Sequence, residues 1–256
     1  PTHFAYLRIA EGCSNSCAYC IIPKLRGRYR SRPMEEILTE ARALAADGVE
    51  ECIVIAQDIT RYGVDLYHEK KLPELLRELC KLDFHWIRLH YLYPDTITDE
   101  LIDTIAAEPK ICKYIDMPIQ HCNDTILKAM RRRETHAGLL AMMETLRAKI
   151  PGVVLRTSLI TGLPYEDEAA FDELCEFLRE THIERAGVFP YSPEEGTDAA
   201  EMPNRVDTAE AERRAELVAD VQSRIMDDFN ESRMGDLAEV LCEGFDPQSM
   251  QYIGRS

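Results

Sequence analysis

The stretch "EGCSNSCAYC", residues 11–20, puts three thiols into eight positions. Three residues separate Cys13 from Cys17, and two separate Cys17 from Cys20. A structural zinc site takes four protein ligands, usually as two pairs. This loop offers three, so His121 or Cys122 would have to complete the set through tertiary contact. A cubane iron–sulfur cluster has four iron corners and takes thiolate ligands. Three thiolates from one tight loop leave one iron open, and an open iron can bind a small molecule. The triad directly follows the apolar run "FAYLRIA" (residues 4–10), which reads as a strand. The three cysteines are therefore expected at the C-terminal edge of a sheet.

Five more short apolar runs follow: "CIVIA" (52–56), "WIRLHYL" (86–92), "KYIDMPI" (113–119), "VVLRTSLI" (153–160) and "RAGVFPY" (185–191). They show little strict alternation, which suits strands buried on both faces of a parallel sheet. Helical segments lie between them. "MEEILTEARALAADG" (34–48) sets Ile37, Ala41 and Leu44 on one face and stops near Gly48. "TDELIDTIAAEP" (98–109) opens on Thr98 as a cap, with Asp99 and Glu100 in its first turn. "LPELLRELCK" (72–81), "HAGLLAMMETLRAKIPG" (136–152) and "EAAFDELCEFLRE" (168–180) carry apolar residues at helical spacing. Six β-then-α units in series imply a right-handed parallel array. Periodicity leaves both a partial barrel and an open doubly wound sheet. In either, ligands belong at the C-terminal ends of the strands.

From Thr208 the pattern changes. "TAEAERRAELVADVQSRIMDDFNESRMG" (208–235) reads as one long charged helix with Leu217, Val218, Val221 and Ile225 facing inward. "DLAEVLCEGFD" (236–246) reads as the start of a strand. Apolar residues make up 45% of the chain and charged residues 30%, enough for a substantial core. The apolar runs are far too short to span a bilayer. Nothing near Pro1 pairs a basic head with an apolar stretch, so no signal peptide is expected; the start without methionine reads as upstream material removed. A net charge of −16 disfavours a surface devoted to nucleic acid. Against it stands "KLRGRYRSR" (24–32), five cations just after the triad: a solvated loop, or a docking surface for an anionic partner. Several of the cysteines outside the triad sit in apolar patterns and read as buried small side chains, and with no secretion signal a reducing cytoplasm is expected.

The triad spacing, with Tyr19 before the last cysteine, resembles the cluster loop of radical S-adenosylmethionine enzymes. "SRPMEEIL", "QDITRYGVDLY", "RLHYLYPDTITDELID", "YIDMPIQH", "LRTSLITGLPYEDEAAF" and "YSPEEGTDAA" extend the likeness to the radical methylthiotransferases, from Phe4 to about Gly235. "QDITRYGVDLY" and "YLYPD" resemble the branch that modifies an aspartate of a small-subunit ribosomal protein (uS12 type). The resemblance implies a 4Fe-4S cluster on Cys13, Cys17 and Cys20, with S-adenosyl-L-methionine chelating its open iron. It implies cofactor contacts at Tyr19, Gln57, Gln120, Arg156, Ile160 and Gly162. Where the superfamily often has an acid after the second strand, this chain reads Ala56, Gln57, Asp58. Tyr165 stands where the family usually has glycine, either capping the next helix or narrowing the pocket mouth.

The expected architecture is a partial (β/α)6 parallel barrel over residues 1–206, a helix packed on it over 207–235, and the start of a truncated β-barrel domain over 236–256. The implied reaction adds a methylthio group to the aspartate β-carbon through a 5′-deoxyadenosyl radical. The family's second 4Fe-4S cluster would lie on an N-terminal domain absent from this chain. Expected partners are the ribosomal protein, docked near Arg26 and Arg28, and a reductant such as flavodoxin or ferredoxin. A cytoplasmic monomer with no membrane contact is expected. Two alternatives stay open: a transfer-RNA adenosine methylthiotransferase, with Arg131, Arg132 and Arg133 on phosphate, and a non-catalytic zinc module. His90 and His121 are expected to donate hydrogen bonds.

Overall fold

A computed structural model describes residues 3–256. The first half alternates β1 (Phe4–Arg8), β2 (Ala10–Glu11), α1 (Ile22–Arg26), β3 (Arg30–Ser31), α2 (Met34–Ala46), β4 (Glu51–Ile55), α3 (Leu72–Cys80), β5 (Trp86–Leu89) and α4 (Asp99–Ala107). The second continues with β6 (Tyr114–Asp116), α5 (Asp124–Ala129), α6 (His136–Lys149), β7 (Val154–Thr161), α7 (Glu168–Thr181), β8 (Arg185–Pro190) and α8 (Thr208–Ser232). A hairpin of β9 (Leu241–Asp246) and β10 (Gln251–Arg255) ends the chain.

Two three-stranded parallel sheets, β1-β4-β5 and β6-β7-β8, make up the arc. A parallel bridge between Ile87 and Ile111, and a hydrogen bond from Leu92 N to Asp116 O (2.9 Å), join them. The six strands thus stand side by side in chain order as a partial barrel, as six successive βα units require.

The apolar runs that form strands also form the core. Leu7, Cys52, Val54, Ile87, Leu89 and Ile115 are completely buried. In α3, the spacing of Leu75, Leu76 and Leu79 turns all three onto the sheet, fully buried. Each such side chain contributes about 1.5–3 kcal/mol. Thr98 caps α4 as its sequence predicts, accepting from Leu101 N at 3.2 Å. β7 alternates strictly. Leu155, Thr157, Leu159 and Thr161 are buried, while Arg156, Ser158 and Ile160 are only half-buried on the opposite face. That second face looks into the open interior of the arc, where Ser158 lines a cavity.

Several expectations are corrected. Leu217 is 39% exposed, and Arg214 and Gln222 share the buried face of α8 with Val218 and Ile225. Both polar residues find partners there, Arg214 on Glu166 and Gln222 on Ile183 O. The segment 24–32 is not one loop. It ends α1, turns at Gly27 and pairs as β3 with β2. α5 is a further short helix, capped by Asn123 accepting from Thr125 N and Ile126 N. No helix of the described residues is long and apolar enough to cross a membrane.

Candidate functional site

The β2–β3 ladder sits at the base of the triad loop. Gly12, just before Cys13, has φ +77°, and a Cβ there would lie 2.4 Å from Arg28 O. Only glycine allows that approach. Cys13 N then donates to Gly27 O at 3.1 Å, and Ser14 Oγ accepts from Tyr29 N at 3.1 Å. Farther along, Ala18 N donates to Met130 O at 3.0 Å, and Ala18 O accepts from Ala199 N at 2.9 Å. Ala18 packs with Ile126, Met130, Leu163 and Ala199 in a small apolar cluster of its own. The loop is therefore anchored to three distant segments.

Cys13, Cys17 and Cys20 are half-buried and line one cavity of about 430 Å³. That volume lies within the usual range for small-molecule sites. Burial pushes the Cys13 thiol above its ordinary value, and Asp58, Cys17 and Cys20 push it further. Burial and the neighbouring Cys17 raise Cys20 as well. Three thiols that repel one another's anions ionise together only when a cation takes the charge. A single zinc ion at about 2.3 Å from each sulfur would hold them about 4 Å apart. Among the described residues, the three ligand atoms gathered within 4.8 Å belong instead to Cys122, His136 and Glu173. His121 does not complete the triad either. It is wholly buried, with Nε2 at 3.3 Å from Glu166 Oε2, and its Nδ1 accepts from Asn123 N rather than donating. A bulkier group bearing several metal corners fits the triad better.

Tyr19, Gln57, Gln120 and Ser158 line the same cavity, with Tyr91, Tyr93 and Arg132, and Cys17 Sγ stands 3.6 Å from Tyr93 Oη. Gln57 Oε1 is buried without a hydrogen-bond partner. The adjacent acid is already occupied: Asp58 accepts from Asn15 Nδ2 at 3.0 Å and Thr60 N at 3.1 Å, and faces Arg61 at 3.5 Å. Asp58 holds the triad loop through Asn15, and Gln57 Oε1 keeps no partner within the chain. Gln120 has φ +70°, fixed from both sides by Gln120 N to Ser158 O (2.9 Å) and Ile160 N to Gln120 O (2.8 Å).

The other predicted contacts divide. Ile160 lines a neighbouring cavity of about 270 Å³ that shares Tyr19, Gln120 and Ser158 with the first. Arg156 is not brought to the triad cavity. It donates to Asp116 Oδ1 at 2.8 Å and lines another cavity, of about 500 Å³, with Tyr114 and Arg185. Gly162 serves a different contact, because a Cβ there would meet Ala211 Cβ of α8 at 2.3 Å. Tyr165 neither caps α7 nor lines these cavities. Asp167 is the cap, accepting from Ala170 N at 2.9 Å, while Tyr165 sits at φ +71° and 36% exposed.

Sequence reading missed Arg132 as a cavity residue. It is buried, donates to Glu134 (2.7 Å) and Pro118 O (2.8 Å), and lies 4.2 Å over the Tyr93 ring. The run of three arginines hid it. Arg131 pairs with Asp198 and Arg133 with Asp95, so both outer members are engaged within the chain. Of the basic segment, Arg26 reaches Glu11 and Arg32 reaches Glu40, while exposed Arg28 makes no ion pair among the described residues.

Comparisons with known proteins agree with this geometry. A ribosomal protein uS12 methylthiotransferase RimO from Clostridium acetobutylicum is 49% identical over 242 residues, 94% of this chain and 54% of that protein. One from Caldanaerobacter subterraneus is 49% identical over 257 residues, 100% of this chain and 58% of the relative. The chain spans about half the length of the curated relatives it matches. Solved structures share the fold at 17% identity. The radical S-adenosylmethionine methyltransferase TsrM from Kitasatospora setae has a TM-score of 0.64 over 77% of this chain and 38% of its own. Coproporphyrinogen III oxidase HemN from Escherichia coli has 0.64 over 87% and 53%. Residues 7–178 match the family model of the radical SAM superfamily. With its cysteine triad at the mouth of a six-stranded parallel arc, the chain belongs to the radical SAM superfamily.

Proposed function

We propose that this chain is the radical-generating part of an enzyme that adds a methylthio group to the β-carbon of an aspartate in ribosomal protein uS12. One observation carries the cofactor half of the reading. Three half-buried thiols line one cavity together with Gln57, whose side-chain oxygen is buried and has no hydrogen-bond partner. Likeness to the RimO proteins along nearly the whole chain supports the substrate half.

Cys13, Cys17 and Cys20 would hold a 4Fe-4S cluster with one open iron. Tyr19, Gln57 and Gln120, with Ile160 beyond them, would hold S-adenosyl-L-methionine. Together these groups supply reductive cleavage of a carbon–sulfur bond and a 5′-deoxyadenosyl radical. The chain's own contribution is placement. Loading must displace the raised thiol protons of Cys13 and Cys20, so cluster uptake releases protons. Gln57 Oε1 is an acceptor suited to an ammonium group. Tyr19, Tyr93 and Pro118 make the walls largely apolar and limit water around a radical. The inserted sulfur would come from a second cluster, held by cysteines other than this triad. Arg26 and Arg28 dock the ribosomal protein, and a small cytoplasmic electron-transfer protein delivers the electron. The β9–β10 hairpin is read as the beginning of a further β domain.

Anaerobic reconstitution tests the cofactor half. About four iron and four sulfide per chain are expected, with 5′-deoxyadenosine released under dithionite and no methylthio product from this chain alone. One zinc without sulfide would overturn it. For the substrate half, the longer protein should add one methylthio group to uS12 by mass spectrometry. Modification of transfer RNA instead would replace this reading with the adenosine branch. Changing Arg26 and Arg28 together to Ala should weaken uS12 binding at low salt and little at high salt.

A further inference from the structure

A second set of ligand-bearing side chains lies away from the triad. Cys122, His136 and Glu173 bring a thiol, an imidazole nitrogen and a carboxylate oxygen within 4.8 Å of one another. Three segments supply them. Cys122 precedes the Asn123 cap of α5, His136 opens α6, and Glu173 lies in α7. Cys122 is wholly buried. His136 Nδ1 is only 2.7 Å from Glu173 Oε1, yet it is buried and out of line for a hydrogen bond. Glu173 and His136 are also held from behind. Asn123 Nδ2 donates to the other Glu173 oxygen at 2.6 Å. The His136 ring stands edge-on to Phe177 at 5.2 Å, and its backbone N donates to Asp124 Oδ1 at 2.7 Å.

Thiolate, imidazole and carboxylate together suit zinc and cobalt rather than magnesium or calcium. Ligating groups oriented by outer hydrogen bonds are the usual support of such sites. We propose that Cys122, His136 and Glu173 bind one divalent zinc-type ion, separate from the cysteine triad, with water in the fourth position. Binding transfers the Cys122 thiol proton to solvent, and no electron moves. The ion would tie the entrance of α5 to α6 and α7. Cys122 follows Gln120 by two residues. The clamp would therefore also fix the segment that carries Gln120 into the triad cavity.

The test uses the full chain with Cys13, Cys17 and Cys20 all changed to Ala, so that the triad cannot take metal, and Co2+ as the probe. One Co2+ per chain should bind, with sulfur-to-cobalt charge-transfer absorption in the near ultraviolet, and Zn2+ should displace it. Cys122→Ser should abolish the absorption, whereas Cys175→Ser should leave it intact. Half-exposed His136→Gln should weaken binding at least tenfold, and circular dichroism checks that each variant folds. A folded parent without the absorption band, or a band that survives Cys122→Ser, would show that His136 and Glu173 are only an ion pair beside a core thiol.

Discussion

Beside Arg156, Asp116 answers two groups, taking Arg156 on one oxygen and His90, at 3.0 Å, on the other, although the Gln222 oxygen in the cavity that Arg156 lines has no partner. Around the cavity beside Cys13, the Gln57 oxygen is buried and unanswered, and three thiols are among the lining groups. Both lie in one arc, and β7 contributes to both through Arg156 and Ser158. A buried polar group left open costs stability unless something arrives to satisfy it. The Asp116 pairings stabilise the fold, whereas the proposed function gives the open Gln57 oxygen to a ligand. Asp116 and the triad should therefore fail in opposite ways.

The sharpest division concerns Cys17→Ala. Iron after reconstitution should fall from about four per chain to near none, with the unfolding midpoint almost unchanged. A full iron complement in the variant would erase the distinction. Asp116→Asn should do the reverse, leaving iron uptake intact and costing about 2 kcal/mol in urea unfolding. The figure is below the about 3–5 kcal/mol of a fully buried pair because His90 and Arg156 are partly screened by solvent. The pH dependence carries a sign. Burial pushes the Asp116 carboxyl up, but His90 and Arg156 outweigh it and hold it below the usual carboxylate range. Its stabilisation is full above the unfolded value of about 4 and is lost as pH falls through the lower folded value. The gap between parent and Asp116→Asn should accordingly narrow in acid; a gap constant down to pH about 2 would place the cost elsewhere.

A smaller effect is expected at Gln57. Gln57→Leu should weaken S-adenosylmethionine binding to the loaded protein about tenfold by calorimetry, with no loss of stability, because the side chain has no partner for its oxygen. A destabilised variant with unchanged affinity would move Gln57 to the paired class. Smallest is Tyr165→Gly, outside both cavities. Removing a side chain at φ +71° should raise stability by about 1 kcal/mol. A changed cofactor affinity there would bring Tyr165 back to the pocket mouth.

What could be read from the chain follows from the range of each cause. Six buried strands announce themselves because two-sided burial leaves continuous apolar runs, and the triad because thiol spacing is local. α5 and the β2–β3 ladder are too short for periodicity to register. Gln57 against Asp58 could not be decided from neighbours, since the answer lies with Asn15, forty-three positions away. Arg156 stands on the inward face as its strand phase requires, yet its partner Asp116 lies on the next strand. Leu217 loses its expected inward place, and Arg214 takes a buried one where it pairs with Glu166 and Glu168.

Ala18 bridges Met130 and Ala199 through backbone atoms alone, and neither bond involves a sulfur. Those two bonds set the path of the loop independently of its thiols, so exchanging one cysteine should leave the loop seated where it is.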